Sequence, residues 1–140
     1  MRALICAASL LGILTVVAWT ATPAGAQDEE KLTIKEIMAK LHKGAKAPLN
    51  AVKAELKSDS PDWAKLEVEA KVIEKLGSYL PKTEAPKGDQ ASYEKLAKAY
   101  EKSAKALNAA AGEKDLEKAK DASKKLGASC KSCHTAHRPS

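Results

Sequence analysis

Cys130, Lys131, Ser132, Cys133 and His134 form a C-x-x-C-H run. Two thiols three residues apart can each add to a vinyl group on one edge of a haem, and the adjoining imidazole can then reach the iron. A zinc site would need four ligands in a tetrahedron, and the chain offers only His137, His42 or scattered carboxylates to complete one. A dithiol redox site is expected beside a βαβ pattern, whereas these cysteines lie in a stretch of helical spacing. The remaining cysteine, Cys6, falls in an apolar N-terminal segment, so a chain cleaved after that segment keeps only the C-x-x-C pair. The spacing therefore points to one covalently attached haem c per chain, with His134 as its proximal iron ligand.

The elements that must hold this motif are written in four amphipathic stretches. Thr33 followed by Glu36 has the form of a capping box, and Ile34, Ile37, Met38, Leu41 and Ala45 continue at helical spacing toward Leu49, Val52 and Leu56. Gly44 and Pro48 predict a kink or short break in this first helix, because a proline disfavours the α region at the residue before it. The second helix is expected to open with Ser60 as N-cap and Pro61 at its first position, burying Trp63, Leu66, Ala70, Ile73 and Leu76. Pro81, Pro86 and Gly88 mark a loop, after which a third stripe runs from Tyr93 through Ala97, Tyr100, Ala104 and Leu107 to Ala111, with Gly112 expected to end it. The fourth stripe contains Leu116, Ala119, Ser123, Leu126, Cys130, Cys133 or His134, and His137, which puts the haem motif in phase with the inward face. No segment alternates as a half-buried strand would. The expected fold class is all-α, an antiparallel up-down four-helix bundle with the haem on its C-terminal helix.

Residues 1–26 read as a secretory signal peptide: Arg2, an apolar run, then Ala24, Gly25 and Ala26 before the acidic Asp28, Glu29 and Glu30. An uncleaved anchor is the alternative. Export to the periplasm suits thioether attachment, and residues 27–140 then form one small domain. The formal net charge is +6, but many charges are interleaved as i,i+4 pairs, such as Glu67 with Lys71 and Asp121 with Lys125. These pairs mark solvated helix faces. No aromatic-studded basic stripe appears, so nucleic acid is not an expected partner.

The six residues after His134 contain no methionine, so a second axial ligand is expected from upstream, or the position is open. Met38 is the only methionine outside the N-terminal segment, and it lies mid-stripe on the first helix; it is either a thioether ligand or core filling. His42, one turn later on nearly the same face, is the second candidate. His137 shares a helix with His134 and is expected to pack near the haem, with Arg138 beside it as a charge partner for a propionate.

At these positions the chain resembles the class II c-type cytochromes, meaning cytochrome c-prime and its low-spin, methionine-ligated relatives. Cys130, Cys133 and His134 match the attachment motif, Arg138 takes the following basic position and Met38 the distal one. His137 stands where the family usually has an aromatic residue, and Ile34 stands where it often has a basic one. The resemblance implies a redox protein on an exported bundle, a homodimer, or a five-coordinate iron open to nitric oxide or carbon monoxide. Electron transfer with a redox partner protein, acidic in view of the positive balance, is the first expectation, and binding of NO or CO the second. No base and nucleophile pair suggests an enzyme.

Overall fold

The computed structural model describes residues 32–139, and the expected signal peptide lies outside them. Five α-helices follow one another: α1 Ile34–His42, α2 Pro48–Glu55, α3 Trp63–Gly77, α4 Gln90–Gly112 and α5 Leu116–His137, with a short 3₁₀ turn at Leu80–Lys82. No strand occurs among the described residues. The first leg of the bundle is α1 and α2 together, so five helices make four antiparallel legs.

The break in that first leg falls where the sequence placed it. Gly44 turns the chain at φ +96°, and Ala47 sits extended at ψ 141° as the residue before Pro48, which opens α2. The turn is held by Asn50, whose Nδ2 donates to the Gly44 carbonyl at 3.1 Å. At the head of α1 the capping box forms: the Thr33 hydroxyl accepts from the Glu36 N–H at 3.3 Å, and the Glu36 carboxylate accepts from the Thr33 N–H at 2.8 Å.

One helix start differs from the sequence expectation. The third leg's partner, α3, begins at Trp63 and is capped by Asp62, not Ser60, with the Asp62 carboxylate accepting from the Lys65 N–H at 3.2 Å. Asp62 prevails because its own N–H is also held, donating to Glu55 Oε2 at 3.2 Å, while Pro61 is buried. Helix α4 ends at Gly112 as expected, and the left-handed residue that turns the chain after it is Lys114 at φ 55°. The Asp115 N–H reaches the Ala110 carbonyl and the Lys114 N–H reaches that of Ala111, the paired bonds of a Schellman stop. Asp115 then caps α5 at once, so the two longest helices are joined by a minimal turn.

The solid core lies where α1, α2, α3 and the far parts of α4 and α5 meet. Ile37, Leu41, Val52, Leu66, Ile73, Leu107 and Leu126 are its largest fully buried side chains. Helix α5 packs along α4, α4 on α3 and α3 on α2, while α1 rests on α2 and α3.

Candidate haem site

Between α1, α4 and the last turns of α5 lies a cavity of about 600 Å³, within the ~300–1,000 Å³ common for small-molecule and cofactor clefts. Its walls come from separate elements: Met38 and His42 from α1, Tyr93, Leu96 and Tyr100 from α4, and the C-x-x-C-H motif from α5. Cys130 and Cys133 are both unpaired and half-buried, and their i,i+3 spacing sets them on one helical face. Burial pushes both thiols above their ordinary range; Lys53 opposes this at Cys130, while Cys130 adds to it at Cys133. His134 is exposed at the cavity's edge.

The two distal candidates, both on α1, line the same cavity. Met38 is half-buried and packs against the core cluster, and His42 follows one turn later. The His42 imidazole is held below its ordinary pKa by burial first, then by Lys53 and His134, which puts it within electrostatic reach of the motif histidine. Both side chains line one cavity with His134, so the structure brings together every residue expected at the site. Arg138 also lines it, exposed, with its N–H capping α5 on the His134 carbonyl at 3.2 Å.

His137 has a role that its sequence position does not reveal. It is 3 % exposed, and its Nδ1 lies 2.8 Å from the Lys87 carbonyl, which can only accept, so Nδ1 carries the proton. Its Nε2, 3.3 Å from the Ser92 hydroxyl, is then free to accept. The ring meets Tyr93 edge-on at 5.5 Å and 85°. Gly88 supplies the φ of +81° with which the loop turns beside the His137 ring. His137 is thus a latch that ties the α3–α4 loop to the end of α5 and closes one side of the cavity. Tyr93 supports the same corner, its hydroxyl 2.7 Å from Thr83 Oγ1 and 3.2 Å from the Leu80 carbonyl.

The two tyrosines were legible as core positions but not as cavity wall. Tyr100 lines the cavity with its ring, yet its hydroxyl is buried without a hydrogen-bond partner among the described residues. Burial, with Cys130 nearby, pushes its pKa far above the ordinary range. A cavity walled by apolar and aromatic side chains, holding two neutral thiols and an imidazole within one helical turn, fits a haem. Among the described residues no group of three or more His, Cys, Asp or Glu side chains gathers as a metal cage would require.

A helical bundle that turns a C-terminal C-x-x-C-H toward an apolar cavity defines a class II c-type cytochrome. The family model described as Cytochrome C' matches residues 21–138, and the chain belongs to that family, which makes it a haem c cytochrome. No curated protein and no solved structure matches the chain.

Proposed function

We propose that the protein is a periplasmic mono-haem electron carrier in which Cys130 and Cys133 form the two thioether links, His134 is the proximal ligand and Met38 the distal one. What supports this reading is that Met38 from α1 and His134 from α5 line one cavity, together with both thiols of the motif. A haem c held there supplies an iron that takes up and gives back one electron. The chain's own residues do the rest. Thioether and imidazole are neutral ligands suited to both oxidation states, and histidine with methionine is a recognised axial pair. The aromatic and aliphatic walls limit water, and the His137 latch fixes the end of the helix that carries the motif. Arg138, at the mouth, is placed to meet a propionate. Residues 1–26 direct export, in keeping with Ala24, Gly25 and Ala26 ahead of an acidic start.

A second reading is favoured by the family itself: a five-coordinate iron that binds NO or CO, with Met38 as cavity wall only. The visible spectrum separates the two. Ferric protein with a low-spin Soret band and a far-red sulfur-to-iron band, both lost in Met38→Ala and kept in His42→Ala, supports methionine ligation. A high-spin spectrum that shifts when carbon monoxide is added to reduced wild type overturns it in favour of the open site. Loss of the low-spin form in His42→Ala alone transfers the distal role to His42.

A further inference from the structure

Charge is sorted along the bundle. At the end where α2 meets α3 and α4 meets α5, several acids and bases pair, Glu55 with Lys65 at 2.6 Å, Lys118 with Glu113 at 2.9 Å and Asp115 at 3.1 Å, and Lys125 with Asp121 at 2.6 Å, while Lys57, Lys114 and Lys124 stand exposed outside such pairs. The end carrying C-x-x-C-H is different. Lys35 and Arg138 line the cavity mouth, Lys43 and Lys46 occupy the turn after His42, Lys87 sits in the latched loop, and Lys131 lies between the cysteines. All six are exposed, and none has an ion-pair partner among the described residues.

The acids at this end are mostly engaged. Glu36 closes the capping box on Thr33, Asp89 caps α4 by accepting from the Ser92 N–H at 2.7 Å, and Glu94 takes Gln90 at 3.1 Å and Lys98 at 3.9 Å. Glu84 is the acid left outside such contacts. Residues 51–72 and 106–125, at the opposite end, carry nine lysines against nine acids, so the positive excess of the described residues lies in the half of the bundle that holds the cavity.

We infer that this end is the docking face for a redox protein with an acidic surface, whose carboxylates meet the unpaired cations around the cavity mouth. The inference rests on the electron-carrier function proposed above. A molecule charged at one end and balanced at the other is turned by its partner's field before contact, so encounters present the cavity mouth first. A membrane surface fits less well. The exposed large hydrophobics, Val68 and Val72, stand on α3, which contributes nothing to the cavity wall, and membrane-lying faces pair their cations with such residues.

The test uses the haem-loaded protein. Reduced protein gives one electron to hexacyanoferrate(III), a trianion, or to tris(phenanthroline)cobalt(III), a trication, yielding ferric protein and the reagent reduced by one electron. The rate with the anion should fall about threefold or more between ~10 and ~200 mM salt, while the rate with the cation rises. Lys46→Glu with Lys87→Glu should flatten the anion's salt dependence; Lys57→Glu with Lys124→Glu, equal in net charge change, should leave it as in wild type. Equal effects of the two double variants overturn the docking face. Separately, poly-L-glutamate titrated into labelled protein should shift amides near Lys43, Lys46, Lys87 and Lys131. Unmoved amides there, or sedimentation with phosphatidylglycerol vesicles without any response to poly-L-glutamate, also overturn it. Loaded protein that neither reagent oxidises refutes the electron carrier instead, and the amide map then decides the docking face alone.

Discussion

Replacing Tyr100 by phenylalanine removes one atom, and the structure gives the sign of the effect. The residue is 4 % exposed, and its hydroxyl has no partner among the described residues. An unsatisfied buried hydroxyl costs about 1–3 kcal/mol relative to the solvated unfolded chain, while an apolar replacement of the same shape carries no such cost. Tyr100→Phe made without haem should therefore be more stable than wild type by about 1–2 kcal/mol in urea unfolding, with unchanged m-value. The pH dependence adds an independent readout. The phenol's folded pKa lies above its ordinary value of about 10, so its contribution is fully present below that pH and is lost as pH rises toward the folded value. Wild type should weaken above about pH 10 more steeply than the variant, which keeps the rises of Tyr93, Cys130 and Cys133 that both proteins share. A variant that is less stable by ~1 kcal/mol or more at neutral pH would mean the hydroxyl is hydrogen-bonded in the folded protein, and would refute the reasoning.

Thr33→Ala opens the capping box at the head of α1 and should cost about 0.5–2 kcal/mol; because Met38 rides that helix, thermal melts should be read together with the visible spectrum of loaded protein. Gly88→Ala puts a side chain on a backbone at φ +81° and should lower stability by about 1–2 kcal/mol. Faster amide exchange in the Pro81–Asp89 loop than elsewhere would locate that loss at the latch. Glu55 is held below the ordinary carboxylate range by Lys65 first and then by the Asp62 N–H, so its contribution is present above the unfolded pKa and fades as pH falls through the lowered one. Glu55→Gln should flatten the acid limb of a stability profile measured from pH 6 to pH 2, and an unchanged limb would show that other carboxylates govern it.

The helices were legible because each repeats its apolar residues at helical spacing and carries its own stop signals. Ile37, Leu41, Leu66, Ile73, Tyr93, Ala97, Leu107 and Leu126 are all buried as the stripes required, and the i,i+4 pairs form, Glu67 to Lys71 at 2.7 Å and Glu101 to Lys105 at 2.6 Å among them. What failed was local competition between similar residues. Ser60 and Asp62 are both good caps, and only the long-range bond from the Asp62 N–H to Glu55 decides between them. The His137 latch was illegible because its partners, Lys87 in the loop before α4 and Ser92 in the first turn of α4, lie far away in sequence. The sorting of charge was likewise hidden. Interleaved lysines and glutamates look balanced along the chain, and only the antiparallel path shows which of them share an end.

The distribution of core volume explains why the cavity lies where it does. Large aliphatic side chains from α1, α2 and α3 fill one part of the bundle, whereas α4 and α5 bury many small residues against each other, Ala97, Ala104, Ala119 and Ala122 among them, and near the motif α4 presents Ala97 with Tyr93 and Tyr100 to the cavity. Small residues let α4 and α5 approach closely along their whole length, and this pairing is secured by the minimal turn at Lys114 and by His137 at the opposite end. Helix α1 is not drawn into that pairing. The break between His42 and Pro48 frees its direction from that of α2, so Ile37 and Leu41 can bury themselves while Met38 and His42 stay on the cavity side. A straight first helix would have one continuous inward stripe and would have to choose between closing the core and facing the motif. The Gly44 turn and Pro48 remove that conflict, so the break lets one leg of the bundle serve both the core and the cavity wall.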